Sequence, residues 1–536
     1  MRFVPSILVA GLFFCAPNAP LTAQDEPSEE RLWKHTGQTR QGTLEVQRGP
    51  SLPADKAAEV DAATLEQLER RWQSLLTKKH HIPELKYDVA IDPELPPANP
   101  PTDLQGKGLS LNSFVFVKNT DPGTVIPAGF SATVNEPSVA SAPDRVLFTG
   151  NWYATTSDDG GDTFSYINPF TSPNPPANDG FCCDQVTVYD PGTDAIFYLQ
   201  QYLPDASNGT QRINVDAGAD GTFDCFYNIT PSLFGFGTGQ FADFPDLAIS
   251  DDHLFHSSNV FAIAGGFTGA FVARYPLDEI GTCNGSIPFD VYTDSSFFSF
   301  KLTRGASDIM YFADHISTAS IRIWRWPEAS TSPTPFDRAV TAWSNSPRTC
   351  PGPDGRDWCG FIDQRMAGAW VADGSVGFMW VPSQDATFPQ PYTRIAQFSE
   401  PALGLVGEPI IWSGSVAFVY PSAAVNANGD VAGTIMAGSN SLHATCAAWI
   451  ADDVNGDVFA PLENHVALTG TSGPIPNRSG DYNSTQPHGP NPYLWAGACF
   501  AYFSTGAGSP RFLVFGREGS LPIFEDGFES GNTSAW

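Results

Sequence analysis

From Leu111 onward, apolar residues fall in short runs that alternate with polar residues, which is the pattern of β-strands. These runs are rich in aromatic and β-branched residues, and glycine and proline separate them. Only Ala54–Lys78 shows the spacing of a helix; Pro83 ends it, and Pro93–Pro101 predicts an extended linker. The pattern therefore predicts an all-β protein preceded by a short helical and extended N-terminal segment.

One strand pattern recurs in the β region at a nearly regular interval. Each copy begins with a small or acidic residue, followed by an apolar strand, a turn containing Asp or Gly, and a second apolar strand. Equivalent positions are separated by 46, 62, 62, 57, 57 and 59 residues. That period suits one four-stranded sheet per repeat, closed into a ring that removes exposed sheet edges. The equivalent positions are Ser138, Asp184, Asp246, Asp308, Arg365, Ser422 and Asp481.

Seven copies predict a β-propeller of seven blades, with six blades as the alternative and a large β-sandwich as a more distant one. The apolar run at residues 113–117 precedes the first copy, and we expect it to complete the last blade and close the ring. The predicted organisation is a signal peptide at 1–23, the N-terminal segment at 24–110, the propeller at 111–520 and a tail at 521–536.

The first residues predict export. A positively charged start is followed by the apolar run Val4–Phe14, and Leu21-Thr22-Ala23 offers a cleavage site with Ala in the last position. This apolar run is too short to cross a bilayer, and no later run is long enough. The sequence therefore predicts a secreted protein without membrane insertion, and it leaves the oligomeric state open.

Charge narrows the choice of partner. The chain carries a formal charge of −30, and residues 111–536 hold 16 basic against 43 acidic side chains. Only two of those basic residues are lysines, Lys118 and Lys301. So acidic a surface repels nucleic acid and anionic lipid, and it is compatible with neutral glycans, divalent cations or basic protein partners.

Eight cysteines remain after the predicted signal peptide, an even number that predicts four disulfides in an exported protein. Proximity in sequence favours four pairs, although other connectivities are open. A disulfide between the sequence neighbours Cys182 and Cys183 would form a rigid apolar platform on which a sugar ring could stack. The favoured pairs are Cys182–Cys183, Cys225–Cys283, Cys350–Cys359 and Cys446–Cys499.

One eight-residue segment matches a known motif. Residues 157–164 read SDDGGDTF, which fits S-x-D-x-G-x-T-[WF] and resembles the Asp-box of sialidase-type propellers. The resemblance implies a hairpin turn in which Asp159 accepts backbone N–H bonds, Gly161 supplies a permissive backbone and Phe164 fills a hole between strands. In those families the box is a fold element remote from the active site, which gives Ser157 and its neighbours a structural role.

The resemblance stops before the chemistry. Sialidases hold a substrate carboxylate with three arginines, the first in an Arg-Ile-Pro sequence, and no Arg-Ile-Pro occurs in this chain. A single clean Asp-box is visible where several are usual. The chain therefore resembles an exported Asp-box propeller without a recognisable sialidase active site.

In a propeller, the residues just before each innermost strand surround the mouth of the central channel, where ligands bind. Carboxylates that converge there could bind a cation or act as an acid/base pair; alternatively, each caps its own strand end. We expect an arginine beside them to orient an anionic sugar. The candidates are Asp184, Asp246, Asp308, Asp363, Arg365, Asp481 and Tyr482.

Two loops have oxygen donors at alternate positions, as calcium loops do, although plain β-turns share this pattern. Structural calcium is therefore a possible cofactor, and the sequence predicts no other. The donors are Asp216, Asp220 and Asp224 in the first loop and Asp453, Asn455 and Asp457 in the second.

Three functions follow from these features. The first is a secreted propeller that binds a glycan or an extracellular protein at the channel mouth, with no evident catalysis. The second is a sialidase-like glycoside hydrolase that uses paired mouth carboxylates. The third is a surface or matrix protein displayed through residues 526–536, which resemble a sorting tail of exported bacterial proteins.

Overall fold

The structure is a computed structural model, and it is almost entirely β, with 5% of residues helical. No helix in the described part of the chain is long and apolar enough to cross a membrane. The predicted signal peptide, the second calcium loop and the C-terminal tail lie outside the described residues, apart from Leu521. The described residues are 37–49, 65–66, 69–70, 83, 85, 89, 104–105, 113–452, 463–475, 478–504 and 508–521.

The strands of the described chain pair into seven antiparallel meanders, numbered here in chain order. Meander 1 is Ser138–Ser141, Val146–Gly150, Tyr153–Ser157 and Ser165–Ile167; meander 2 is Phe181–Asp190, Ala195–Tyr202, Gln211–Ala217 and Cys225–Ile229. Meander 3 is Gln240–Ile249, His253–Ala262, Phe267–Pro276 and Ser286–Asp294; meander 4 is Lys301–Leu302, Ile309–Ser317, Ser320–Pro327 and Thr334–Ala339. Meander 5 is Met366–Ala372, Ser375–Trp380 and Thr393–Ser399, with Leu405–Gly407 and Ile410–Ile411 sharing the outer edge. Meander 6 is Ala417–Val419 with Ala424–Val425, Val431–Ser439, Leu442–Ala451 and Glu463–Thr469; meander 7 is Ser484–Pro487, Trp495–Tyr502, Gly508–Arg517 and Phe114–Thr120.

The innermost strands of the seven meanders contact one another in cyclic order, from meander 1 to meander 7 and back to meander 1. The ring closes through Phe114–Thr120, which precedes meander 1 in sequence and pairs antiparallel with Gly508–Arg517 of meander 7. The prediction of an all-β propeller is therefore confirmed, and so is the role expected of residues 113–117.

Elements outside the meanders are few. Strand Gln38–Gln47 pairs with the outer strands of meanders 2 and 3 and so covers both edges, while Leu104–Gln105 pairs in parallel with the outer strand of meander 6. Such pairing leaves fewer open edges for association with other chains. Among the described residues, the helical pieces are the α-helix Leu277–Gly281, the 3-10 turns Pro122–Val125, Pro231–Phe234 and Glu518–Ser520, and residues 65–66 and 69–70 of the predicted N-terminal helix.

The core lies between the sheets. Seven apolar clusters each join two neighbouring meanders. Each meander is therefore covered on both faces by its neighbours. This explains why strands such as Val431–Ser439 are buried at every position instead of alternating. Between meanders 3 and 4, for example, the Phe255 ring meets the Trp326 ring edge to face with ring centroids 5.7 Å apart.

Four disulfides form with the predicted connectivity. Cys446–Cys499 links meander 6 to meander 7, and Cys225–Cys283 links the outer strand of meander 2 to the turn after the third strand of meander 3. Cys350–Cys359 closes a loop between meanders 4 and 5. Two of the four bonds therefore fasten one sheet to its neighbour.

The turn at residues 157–164 makes the contacts that its sequence predicts. The Asp159 carboxylate accepts the backbone N–H groups of Asp162 and Thr163 at 3.0 and 2.9 Å, and the Thr163 hydroxyl at 2.6 Å. Gly161 has a φ of +91°, the left-handed region that favours glycine. Phe164 is buried against Phe512 of meander 7, so this turn also fastens the first sheet to the last.

Candidate functional site

A cavity lies at the hub of the ring. The cavity and its open mouth together enclose about 910 Å³. Every meander contributes to its lining from within or beside its innermost strand, so the site is assembled from parts of the chain that are distant in sequence. Concave sites with a few converging polar groups are the usual ligand sites of proteins. One lining residue from each meander, in order, is Ser138, Val186, Asp246, Lys301, Met366, Ser422 and Ser484.

A backbone feature recurs beside this cavity. In five meanders, a residue with a positive φ lies two positions before the lining residue named above for that meander. Its φ is between 40° and 57°, which is uncommon for any residue except glycine. Such strained conformations persist where the surrounding structure enforces them, and they cluster at functional sites. They turn the chain sharply as it enters the hub. The five residues are Glu136, Asp184, Phe244, Ser299 and Tyr420.

The structure brings five of the seven predicted mouth residues together. These five line the hub cavity, and a sixth, Asp184, is buried beside it. The five are Asp246, Asp363, Arg365, Asp481 and Tyr482.

The placement of Asp308 at the mouth was wrong. Its side chain is exposed, and it precedes Ile309–Ser317, which is the second strand of meander 4. The innermost strand of this meander has only two residues, Lys301 and Leu302, too short to stand out as an alternating run. Lys301 therefore occupies the position that the repeat assigned to an aspartate.

One side of the cavity is cationic. The Asp246 carboxylate accepts the Arg304 guanidinium at 2.7 Å on one oxygen and lies 3.2 Å from the Lys301 ammonium on the other. Burial opposes ionisation of Asp246, but the two cations outweigh it and hold its pKa below the usual value. Two cations share one carboxylate, so this side has a formal charge of +1.

The other side is anionic. Arg365 donates from Nε to Asp363 at 2.8 Å, and its Nη2 lies 3.5 Å from Asp481. Its guanidinium also packs over the Phe244 ring at 4.3 Å, and the carboxylates around it raise its pKa further although burial opposes this. Arg365 is therefore occupied by protein carboxylates, which does not fit the predicted role of holding an anionic sugar. The second Asp481 oxygen is buried and has no hydrogen-bond partner among the described residues.

Glu136 is a buried residue that the sequence reasoning missed. Its carboxyl hydrogen-bonds that of Asp184, and burial and then the charge of Asp184 raise the pKa of Glu136 well above its usual value. It also accepts the Asn151 amide at 2.7 Å and the backbone N–H of Asp481 at 3.1 Å. Glu136 lies behind Asp481 and does not line the cavity. The pair Glu136–Pro137 ahead of Ser138 parallels Phe244–Pro245 ahead of Asp246, and that likeness could have revealed it.

Tyr482 lines the cavity and lies close to the carboxyl groups of Glu136 and Asp184. Its ring meets that of Phe244 edge to face at 6.1 Å, and its hydroxyl points toward the backbone of Gln185. Burial, followed by the charges of Asp184 and Glu136, raises its pKa well above the usual value. The hydroxyl therefore keeps its proton at neutral pH.

The adjacent cysteines do not present the predicted platform for a sugar. Both are buried, with 4% and 0% of Cys182 and Cys183 exposed, so no ligand can stack on the bond. Instead, the Gln201 side chain bridges Cys183 and the Asp243 carboxylate. The Cys182–Cys183 disulfide is therefore part of the buried structure next to Asp184.

The calcium prediction is untested at the first loop. Asp216 accepts the backbone N–H groups of Asp220 and Gly221, and Asp224 accepts that of Ala217. Burial raises the pKa of Asp216 to about 6. Within the described chain, no three acidic, histidine or cysteine side chains group as metal ligands would.

No protein-family model matches this chain, and no curated protein matches it. Among solved structures, the α-L-arabinofuranosidase Arb93A from Fusarium graminearum is similar over 74% of this chain and 97% of its own, with 10% identity and a TM-score of 0.35. A protein of unknown function from Dyadobacter fermentans aligns over 75% and 99%, with 9% identity and a TM-score of 0.38. The NanB sialidase from Streptococcus pneumoniae aligns over 73% and 70%, with 10% identity and a TM-score of 0.34. Likenesses this weak carry no argument about the function of this chain.

Proposed function

We propose that this protein is an exported seven-bladed propeller, one blade per meander, that binds a glycan in its hub cavity. The unpartnered Asp481 oxygen carries the proposal. A buried carboxylate oxygen without a donor is costly, and a ligand hydroxyl would satisfy it. A sugar offers many hydroxyl groups and fits a concave site better than a protein surface does. The four disulfides support an oxidising, extracellular compartment.

A glycan array tests this proposal. We expect the wild-type protein to bind a defined set of glycans. Asp481→Asn should lose about tenfold or more in affinity, because an amide oxygen accepts more weakly than a carboxylate oxygen and the amide nitrogen does not accept. Asp308→Asn is the matched control, since Asp308 is exposed and lies outside the cavity. Equal binding by the two variants, or no glycan binding at all, would contradict the proposal. The last result would favour a surface or matrix role.

Glycoside hydrolysis is the second candidate, and Glu136 is the observation that favours it. A carboxyl whose pKa is raised can donate a proton to a leaving group, and a second carboxyl group such as that of Asp481 would act as base or nucleophile. Two observations favour binding instead. Glu136 does not line the cavity, and the three carboxylates that do, Asp246, Asp363 and Asp481, all pair with cations.

A panel of fluorogenic glycosides separates the two candidates. We expect no turnover by wild type above that of the Glu136→Gln variant. Turnover that disappears in both Glu136→Gln and Asp481→Asn, and persists in Asp308→Asn, would establish the hydrolase. Repeating the assays with EDTA also tests the calcium that the loop at Asp216–Asp224 predicts.

A further inference from the structure

We propose that the glycan carries an acidic group, a carboxylate or a sulfate, and that Lys301 and Arg304 bind it. This inference rests on the proposed function and specifies the class of ligand. The two cations line the same cavity as the Asp363–Arg365–Asp481 group, in a domain whose formal charge is strongly negative.

Lys301 and Arg304 have more N–H donors than the described protein groups accept from. Asp246 gives one oxygen to Arg304 and the other to Lys301 and to the backbone N–H of Leu302. Both of its oxygens are then engaged. The Nη1 atom of Arg304 is buried and has no hydrogen-bond partner among the described residues. An anion in the cavity would accept from this nitrogen and from the remaining N–H groups of Lys301, and it would balance the formal charge of +1.

The backbone holds Arg304 in place before any ligand arrives. Its N–H donates to the Ala369 carbonyl at 3.1 Å and its carbonyl accepts from the Val371 N–H at 2.9 Å, so two hydrogen bonds fix it to the innermost strand of meander 5. The next residue, Gly305, has a φ of +79°, and a Cβ there would meet the Val371 carbonyl. A site held this way loses little freedom on binding, which favours affinity.

Arg365 does not compete for the acidic group, since Asp363 and Asp481 occupy it. The cavity therefore has a cationic side and an anionic side. A ligand that fits both has an acidic group at one end and hydroxyl groups at the other. Uronic acids and sulfated sugars share this arrangement.

Paired oligosaccharides that differ only in the acidic group test the proposal. A uronic-acid oligosaccharide is compared with its carboxyl-reduced form, and a sulfated one with its desulfated form, by titration calorimetry. We expect one acidic member of a pair to bind about tenfold or more tightly than its neutral form, with an affinity that falls as salt rises. Which pair shows the difference identifies the group as carboxylate or sulfate.

Variants assign the effect to the two cations. Lys301→Met and Arg304→Gln should remove the preference for the acidic form, while Arg304→Lys, which keeps the charge, should keep part of it. Lys118→Met is the matched control, because Lys118 is the other lysine of the propeller and pairs with Asp162 outside the cavity. Thermal melting checks that each variant is folded.

The outcomes separate this inference from the proposed function. Equal binding of acidic and neutral forms by wild type would overturn the inference and leave glycan binding intact. A preference that persists in both Lys301→Met and Arg304→Gln would also overturn it. Binding of no member of either pair, together with an empty glycan array, would overturn both.

Discussion

At the scale of single residues, Glu136 couples the folding of this protein to pH. Because burial raises its pKa, folded Glu136 keeps its proton at pH values where the unfolded chain has lost it. The folded state then binds more protons, so the contribution of this group is complete below about pH 4 and is lost as pH rises toward its folded pKa. Asp314, whose pKa burial raises to about 8, acts in the same direction.

The Glu136→Gln variant tests this coupling. The amide mimics the protonated carboxyl and does not titrate, so the free energy of unfolding should fall less steeply between pH 5 and 8 than in wild type. Denaturant titrations at several pH values measure how the free energy of unfolding depends on pH. Part of this dependence should remain in the variant, because Asp314 also contributes to it. Glu518→Gln, at an exposed position, is the control. Identical slopes in wild type and Glu136→Gln would show that Glu136 is ionised in the folded protein.

Arg365 shows the limit of sequence reasoning at this scale. Its position at the head of a repeat correctly placed it in the cavity. Whether its guanidinium is free for a ligand depends on Asp363, two residues away, and on Asp481, which only the fold brings to it. The unpaired donors belong to Arg304, which no motif marked. Composition names the charged residues of a site, whereas packing decides which of them remain free for a ligand.

At the scale of elements, the turn at residues 157–164 fastens meander 1 to meander 7. Phe164 lies between Phe148 of its own sheet and Phe512 of the last one, so Phe164→Ala should lower the free energy of unfolding by about 3 kcal/mol. Phe164→Leu, which keeps most of the volume, should cost less than half of that. Denaturant unfolding measures both. A cost below about 0.5 kcal/mol for the alanine variant, the range of surface substitutions, would mean that this contact does not hold the ring closed.

The disulfides offer a second test at this scale. Cys446–Cys499 closes a sequence separation of 53 between two meanders, and Cys350–Cys359 closes one of 9 within a loop. All four cysteines are buried, so replacing either pair with alanine leaves comparable cavities. Loop entropy predicts a loss of about 4 kcal/mol for the first pair and about 2.5 kcal/mol for the second. Equal losses in denaturant unfolding would mean that loop length does not govern their effect.

Elements were predictable where strands were long and regular. Six of the seven innermost strands lie at or within a few residues of the repeat positions, and the closing strand was also found. The repeat failed at meander 4, because a two-residue strand leaves no periodic signal. The pairing of Gln38–Gln47 with meanders 2 and 3 was missed too, since a contact between residues so distant in sequence has no local signature.

At the scale of the whole molecule, the ring gathers charged residues that lie far apart in the sequence. An acidic domain with two lysines places one of them, together with two arginines, at its hub. Every carboxylate that lines the cavity then pairs with a cation, which leaves a polarised space instead of a uniformly negative one. The sequence identified the acidic character, but it could not reveal this separation of charge.

Our proposals depend on the hub cavity being the ligand site. The most direct measurement is a crystal structure of the protein with a glycan selected on the array. We predict a sugar in the cavity, with a hydroxyl on the free Asp481 oxygen and an acidic group against Lys301 and Arg304. A sugar bound on the outer face of the ring, with the cavity closed to it, would contradict the claim.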